Sequence, residues 1–465
     1  MRVLLVKPHS WFSAKGVGLP LGLAYLGGEL LRTKHHVAGI DLMLSKPEEA
    51  RADLARRVFD LEPDIVGVTC NSHERLAAFE AARWIKNMMD IPVVMGGPHV
   101  TFTAEQTLHK VRQVDIVALH EGEHTLRDIC DTMQAGGNME EVKGIVFRQN
   151  GRMLKTHPRP FITNLDSLPM PARHLFEHDK YDLYLPIEDR PKAVHIVSSR
   201  GCPYPCFFCS ATRMAGGKAR MRSAEHVVRE IEAVVESFPL YKWIFFYDDH
   251  FTLARERVME ICERMIQKRF NLNWGCYGRA DSLDRELLRQ MKAAGCRMIS
   301  FGIESGSDYV LRLMGKRVNR QVIEQAITLT KAEGIIARCS FFFGYPGERF
   351  IDVLRTLRMI NKMGLVKDEV VWSECPVLYP GTVLFDKLVR EGFVSRDFDW
   401  TVAPAVRSYK DVPMYVSSLP RVRKTIVRGY LKFIVENRGK PLAASVPEYV
   451  ISRLARSARN RYVEG

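Results

Sequence analysis

Short apolar runs alternate with amphipathic segments through the first third of the chain. Five runs are rich in Val and Ile, as buried strands are: RVLLVKP, HVAGIDLM, DIVGVTC, PVVMGG and DIVALHEG. Segments with helical spacing of apolar residues separate them, among them LGLAYLGGELLRT and ERLAAFEAARWIKNMM. This order is typical of a doubly wound α/β domain with a parallel sheet, whose ligands bind beyond the carboxyl ends of the strands. GIVFRQNGRMLKT, with Asn150-Gly151 at its centre, predicts a hairpin that closes this domain, residues 1–150.

A second alternation of strands and helices begins after a proline-rich segment. Residues 151–192 show little periodicity and predict a linker that wraps along the surface. From AVHIVSS to EVVWSECPVLYPG the pattern makes about six β/α units, whereas a closed barrel has eight. Residues 193–400 therefore predict an incomplete (β/α) barrel, and residues 401–465 a small, mostly helical region.

Positive charge dominates the chain and is enriched at its end. Lys and Arg total 68 against 54 Asp and Glu, a net charge of +14. Beyond Arg421, the residues Ile426, Tyr430, Phe433 and Ile434 recur at helical spacing among basic residues and predict an amphipathic basic helix. Packing on the main body, contact with a membrane surface and contact with an anionic substrate remain open for this helix. The charge favours an acidic substrate, and we do not expect a nucleic-acid partner.

The apolar patterns predict a cytoplasmic protein. The first strand pattern is followed at once by Lys7, Pro8 and His9, unlike a signal peptide, and no apolar run is long enough to span a membrane. Most of the ten cysteines are scattered singly, which is not the arrangement of a disulfide framework.

Three cysteines stand apart from the others because they share one short loop. GCPYPCFFCS places Cys202, Cys206 and Cys209 directly after the first barrel strand, where barrel active sites are built. Clustered thiolates suit zinc or an iron–sulfur cluster. The loop holds no fourth ligand to close a zinc tetrahedron, and the nearest histidines, His195 and His226, are poorly spaced. Three ligands on a cluster of four irons would leave one iron open for chemistry.

The same loop carries a family resemblance. SSRGCPYPCFFCS resembles the cluster motif of radical S-adenosylmethionine enzymes. Five later segments are similar to those of the subgroup with an N-terminal cobalamin-binding domain: FFYDDHFT, CYGRAD, FGIESGSDYVLRLMGK, FFFGYPGE and YPGTVLFDKL. This subgroup includes class B methyltransferases and anaerobic magnesium-protoporphyrin ester cyclases. The resemblance implies a [4Fe-4S] cluster on the three cysteines, with the open iron binding S-adenosylmethionine, whose one-electron cleavage gives a 5′-deoxyadenosyl radical.

The resemblance also implies contacts to S-adenosylmethionine from the ends of the barrel strands. The expected residues are Phe208 at the adenine, Asp248 and Asp249 toward the methionine amine, Arg279 at the carboxylate, Glu304 and Ser305 at the ribose, and Gly344 and Pro346 along the cofactor. Each has a structural alternative. Phe208 could pack within its loop, Arg279 could pair with Asp281, and strand alternation lets only one of the two adjacent acids point into the barrel.

For the first domain the resemblance implies cobalamin. The expected contacts are Leu21, Gly22, Tyr25, Asn71, Ser72, Gly96, Gly97, Pro98, His99, Glu121 and Gly122. The D-x-H-x-x-G pattern that supplies a histidine to cobalt is absent, and His9 lacks that context. A generic nucleotide-binding or structural domain is the alternative. If both cofactors serve one substrate, the carboxyl edges of the two units must face each other, with the loop at 96–99 near the loop at 202–209.

The leading hypothesis for function is methyl transfer through cobalamin to a carbon radical or a phosphinate phosphorus of a small-molecule or peptide substrate. An oxidative cyclisation or rearrangement without methyl transfer is the second hypothesis, and a cluster-containing sensor is the third. An electron donor such as flavodoxin or ferredoxin is the expected partner. Cys276 and Cys375 lie near strand ends, where either core packing or a chemical role is open.

Overall fold

The computed structural model describes residues 1–9, 18–181, 183, 185, 191–373, 376–404, 408–409 and 412–414. Its first unit is a seven-stranded sheet in the order β2-β1-β3-β4-β5-β6-β7, in which β1 to β5 are parallel and β6 and β7 antiparallel. The elements are β1 (Arg2–Lys7), α1 (Leu21–Arg32), β2 (His36–Asp41), α2 (Ala50–Leu61), β3 (Ile65–Thr69), α3 (Arg75–Met88), β4 (Val93–Gly96), α4 (Pro98–Lys110), β5 (Ile116–Ala118), α5 (Glu123–Gln134), β6 (Ile145–Gln149) and β7 (Arg152–Lys155).

The parallel strands of this sheet are buried because helices cover both of its faces. One face forms a core with α2, α3 and α4, and the other packs against α1 and α5. That double cover explains why the strand sequences are continuous apolar runs rather than alternating ones. Strand order reverses between β1 and β3, and this reversal opens a crevice at the carboxyl edge of the sheet. The doubly wound prediction and the hairpin at Asn150-Gly151 are both confirmed.

The segment between the two units contributes to both cores. Phe176 and Tyr181 are buried against the first sheet, and the Tyr181 hydroxyl donates to Asp41 Oδ2 at 2.9 Å. Leu185 is buried beneath the second sheet. The prediction of a surface linker is therefore wrong in this respect: its sparse apolar residues lack periodicity because they fill separate gaps in two different cores.

The second unit is a six-stranded parallel sheet in the order β15-β14-β13-β12-β11-β8. Its elements are β8 (Ala193–Ile196), β9 (Ser199–Arg200), α6 (Ala211–Met214), β10 (Arg220–Met221), α7 (Ala224–Ser237), β11 (Trp243–Phe246), α8 (Arg255–Gln267), β12 (Asn273–Gly278), α9 (Arg285–Ala293), β13 (Cys296–Glu304), α10 (Asp308–Leu313), α11 (Arg320–Ala332), β14 (Ile336–Phe342), α12 (Phe350–Lys362), β15 (Val370–Ser373) and α13 (Val383–Arg390). The six strands are neighbours in chain order and, among these elements, β9 and β10 form a separate antiparallel pair, so the sheet is the predicted incomplete barrel.

The final described element is a small hairpin of β16 (Ser408–Tyr409) and β17 (Val412–Pro413). The basic helix predicted beyond residue 421 lies outside the described residues. In the described part of the chain, none of the helices combines the length and the apolar character that a membrane crossing requires.

Candidate active site

The three-cysteine loop is held in place by hydrogen bonds from distant elements. Phe207 donates its N–H to the Met314 carbonyl at 2.9 Å, and its own carbonyl accepts from Leu384 N at 2.7 Å. The Thr212 hydroxyl reaches the Cys202 carbonyl at 3.1 Å and the Tyr204 carbonyl at 2.8 Å. The loop is thus anchored to the end of α10 and the start of α13.

Gly201 fixes the direction in which the chain enters this loop. Its φ is +84°, and a Cβ there would lie 2.4 Å from the Ala215 Cβ and 2.5 Å from the Lys218 carbonyl oxygen. Its N–H donates to Asp249 Oδ2 at 3.0 Å. Both the left-handed conformation and the close approach require glycine.

The donor set of the loop fits an iron–sulfur cluster better than zinc. Cys202 and Cys206 are half-buried and Cys209 is exposed. Among the residues that the structure describes, no three His, Cys, Asp or Glu side chains are arranged to hold a metal ion. A structural zinc ion needs four converging donors, whereas a cluster receives each thiolate on a different iron.

A cavity of about 640 Å³ lies between the carboxyl edges of the two sheets. From the first unit its lining includes eight of the residues expected at cobalamin: Leu21, Gly22, Tyr25, Gly96, Gly97, Pro98, Glu121 and Gly122. From the barrel side it includes Gly201, Cys209 and Asp249. The predicted juxtaposition of the loops at 96–99 and 202–209 is confirmed.

Three residues expected at cobalamin lie outside the lining of this cavity. Asn71 Oδ1 accepts from His73 N at 3.0 Å and so organises its own turn. Ser72 Oγ lies 3.0 Å from His99 Nδ1, and the His99 ring is 5.4 Å from that of Trp400. Burial lowers the pKa of His99 to about 3, so the ring is neutral. Ser72 and His99 thus lie beside Trp400, and their role at a cofactor stays a prediction.

His9 is a buried residue that also lies outside this lining. Burial lowers its pKa. Its role as a cobalt ligand, already weak on sequence grounds, gains no support from this position.

Two arginines that sequence reasoning missed join the two units at the cavity wall. Arg200 Nη1 lies 3.0 Å from Glu121 Oε1, and its Nη2 lies 2.5 Å from Glu123 Oε1. Arg220 Nη1 lies 2.8 Å from both Glu121 oxygens. These cations hold the pKa of Glu121 below its usual value despite burial. The sequence signal that could have pointed to Arg200 is its position directly before Gly201 in the cysteine motif.

The adjacent acids at the end of β11 point to different places, as strand alternation predicts. Asp248 is buried and accepts from Ser198 N at 2.6 Å and from the Ser199 hydroxyl at 2.7 Å. Asp249 is exposed and lines the cavity. Of the pair, Asp249 is the one that faces the cavity.

Arg279 pairs with Asp281, the structural alternative to a contact with the methionine carboxylate. Its guanidinium contacts Asp281 at 2.9 and 3.0 Å and stacks over the Tyr204 ring, with Cζ 3.6 Å from the centroid. The stacking brings this ion pair against the cysteine loop, since Tyr204 lies between Cys202 and Cys206.

The end of β13 is buried and tightly bonded. Glu304 has a φ of +69°, and its Oε1 accepts from Lys316 Nζ at 3.0 Å. Ser305 is fully buried, and its hydroxyl lies 3.1 Å from that of Thr356. A left-handed glutamate is strained backbone, which is typical of functional positions.

The loop after β14 is built around a buried acid. Gly344 has a φ of +79°, and its N–H donates to Glu348, while Pro346 is buried beside it. Burial raises the pKa of Glu348 to about 8. Across this end of the barrel, the Phe208 ring packs edge-on to Phe342 of β14, with centroids 5.0 Å apart. Its contact with the adenine stays a prediction.

The structure separates Cys276 from the site. Cys276 is buried in the core between the sheet and its helices, on the face opposite to that of Tyr277, and burial raises its pKa. This position favours core packing. Cys375 lies outside the described residues.

Comparisons with known proteins agree with this geometry. The model of the Radical SAM superfamily matches residues 196–360, and that of the B12 binding domain matches residues 12–130. An uncharacterized methyltransferase of Pyrococcus horikoshii is 30% identical over 100% of this chain and 99% of its own length. An anaerobic magnesium-protoporphyrin IX monomethyl ester cyclase of Rubrivivax gelatinosus is 28% identical over 77% of this chain and 65% of its own.

The chain belongs to the cobalamin-binding radical S-adenosylmethionine enzymes. A solved structure of the radical S-adenosylmethionine methyltransferase TsrM of Kitasatospora setae, with tryptophan and an S-adenosylmethionine analogue bound, shares the fold. The superposition covers 94% of this chain and 89% of the TsrM chain, with a TM-score of 0.77 and 16% sequence identity. The cofactors of the present chain are a [4Fe-4S] cluster, S-adenosylmethionine and cobalamin.

Proposed function

We propose that this enzyme transfers a methyl group to a carbon or phosphorus centre of a small-molecule or peptide substrate. The observation that carries the proposal is the shared cavity, since loops of the cobalamin-binding unit and the cysteine loop line one space. A substrate in that space would contact both cofactors. The methyltransferase from P. horikoshii, which matches along its whole length, supports this assignment.

In this proposal Cys202, Cys206 and Cys209 hold the cluster, and cobalamin lies against the start of α1 at 21–25 and the segments at 96–98 and 121–122. When bound, the cluster and S-adenosylmethionine supply a 5′-deoxyadenosyl radical, and cobalamin supplies a transferable methyl group. Asp249 faces the cavity from the barrel and would accept a hydrogen bond from the methionine amine. The side chains of Glu121, Arg200 and Arg220 hold the two binding surfaces at a fixed separation.

The remaining residues expected at S-adenosylmethionine keep supporting roles in this proposal. They are Phe208, Asp248, Arg279, Glu304, Ser305, Gly344 and Pro346. Asp248 and Arg279 already have internal partners, so they would orient the loops that touch the cofactor rather than bind it with free charges. An electron donor such as flavodoxin or ferredoxin would reduce the cluster on the cysteine loop.

Product analysis tests the proposal. The reconstituted enzyme is incubated with methyl-labelled S-adenosylmethionine, a reductant and a fractionated pool of small acidic metabolites. Methyl transfer gives 5′-deoxyadenosine and S-adenosylhomocysteine together, with label in a metabolite. An oxidative cyclisation, the second candidate that the ester cyclases suggest, gives 5′-deoxyadenosine without S-adenosylhomocysteine.

The matched controls are cysteine variants. C202A/C206A/C209A should lose the cluster absorption and both products, whereas C276A, which removes a buried thiol from the core, should keep them. Undiminished product formation by the triple variant would disprove radical chemistry at this loop.

A further inference from the structure

The inside of the partial barrel is lined by side chains in layers. The layer at the bottom follows the strand register from His195 through Phe245, Gly275 and Met298 to Ile336. Phe245 and Met298 are buried there with Leu185 of the preceding segment. Except for His195, whose ring centroid lies 5.6 Å from that of Tyr247, this layer is apolar, and it forms a floor.

The layer directly above the floor is polar. Two residues further along each strand, Tyr277 pairs in register with Ser300, and Ser300 pairs with Arg338. Tyr247 completes the row, because its ring lies perpendicular to that of Tyr277 with centroids 5.4 Å apart. We call these four residues the polar layer: Tyr247, Tyr277, Ser300 and Arg338.

Arg338 carries a charge that the described chain does not neutralise. No carboxylate of the described residues lies within ion-pair distance of it, and its Nε is buried without a hydrogen-bond partner. Burial lowers the pKa of Arg338, while Tyr277, Tyr247 and Asp368 act in the opposite direction. A partly buried, unpaired guanidinium is costly, and a bound anion would offset that cost.

Other cations near the barrel mouth already have partners. Lys316 Nζ lies 3.0 Å from Glu304 Oε1, and Arg279 pairs with Asp281 at 2.9 Å. These two cations are therefore less available to a ligand than Arg338.

The polar layer borders the cofactor cavity at Tyr247. Tyr247 is 50% exposed and belongs to the cavity lining, Tyr277 and Arg338 are half-buried, and Ser300 is buried. A molecule in the cavity could thus extend one end past Tyr247 toward Arg338.

We propose that the polar layer binds an oxyanion of the substrate, either a carboxylate or a phosphoryl group. The Arg338 guanidinium would donate paired hydrogen bonds to two oxygens of the anion, a geometry for which its planar fork is suited. The hydroxyls of Tyr247, Tyr277 and Ser300 would donate to the remaining acceptors. The proposal deepens the proposed function, on which it rests, by assigning the substrate to the acidic class and its anionic end to the barrel interior.

Binding of small aromatic probes to the cofactor-loaded enzyme tests this site. Benzoate presents a carboxylate, phenyl phosphate presents a phosphoryl group, and benzamide is the neutral analogue. Calorimetric titration should show that at least one anion binds about tenfold or more tighter than benzamide. Which anion binds tighter identifies the acidic group.

Variants locate the preference within the chain. R338Q should reduce the anion's advantage over benzamide by about tenfold to a hundredfold. R297Q, which removes one positive charge from the neighbouring strand near its opposite end, should leave the advantage unchanged. Iron and cobalamin contents of each preparation verify that the variants are folded and loaded.

Three outcomes would overturn the anion site: no binding by either anion, equal affinity for charged and neutral probes, or an undiminished preference in R338Q. Probe binding needs no turnover. Absence of 5′-deoxyadenosine formation by the same wild-type preparation would instead count against the proposed function, so the two failures are distinguishable.

Discussion

The ion pairs between the two units predict a large effect of a single carboxylate. E121A removes a side chain that bonds Arg200, Arg220 and the Ile162 N–H. Arg220 would keep the Ile162 carbonyl at 2.8 Å and the Phe161 ring, while Arg200 would keep Glu123. Removing one member of a buried ion pair costs roughly 3–5 kcal/mol. Because Arg200 retains one acid, we expect the lower end, about 3 kcal/mol.

Urea unfolding of the wild type and variants, followed by circular dichroism, measures this loss. Cobalamin retained after gel filtration measures the effect on the site, and it should fall in E121A because the cavity wall loosens. E121A/R220A should recover part of the stability, since it also removes the unpaired cation, with a coupling of about 0.5–3 kcal/mol. E140A, at an exposed acid of the same unit, is the control and should change stability by less than about 0.5 kcal/mol. If E121A and E140A unfold at the same urea concentration, the ion pairs do not hold the units together.

Three further changes probe the site's framework. G201A should lower the free energy of unfolding by about 1–3 kcal/mol and reduce cluster loading, because the new Cβ would meet Ala215 and Lys218. The control is G217A, at a similar φ of +78° with open space around it, which should lower the free energy of unfolding by less. Equal losses in the two variants would show that the contact at Gly201 is unimportant. Burial raises the pKa of Glu348 from 4.5 to about 8, so the protonated acid favours the fold and the free energy of unfolding should decline as pH rises through that interval. E348Q should remove this decline in urea titrations between those pH values. An unaltered pH profile in E348Q would contradict the raised pKa of Glu348. C276A should cost about 1 kcal/mol as a small core truncation while the cluster absorption is retained, and a lost cluster would give Cys276 a chemical role.

Local sequence was sufficient for the framework. The apolar runs of β1 to β5 predicted the sheet because a strand covered on both faces must be apolar along its length, which is a property of consecutive residues. The three thiols predicted the cluster site for a similar reason, since Cys202, Cys206 and Cys209 occupy one loop and need no distant partner to be recognised. The alternation at Asp248 and Asp249 likewise follows from the geometry of a single strand.

What the sequence by itself determined, then, are the features encoded by neighbouring residues: the two α/β units, the incomplete barrel and the cysteine loop. The tertiary structure alone decided which polar side chains meet. Glu121 and Arg220 are 99 positions apart, so no periodicity could show that this pair joins the two units. Ser72 and His99 lie on different strand ends, so no periodicity could show that they meet away from the cavity. The same holds for Arg338, whose lack of an ion-pair partner among the described residues is visible only once Tyr277 and Ser300 stand beside it in register. Packing of distant segments selects the partner of a buried charge, and a charge left without one inside the barrel points to a ligand.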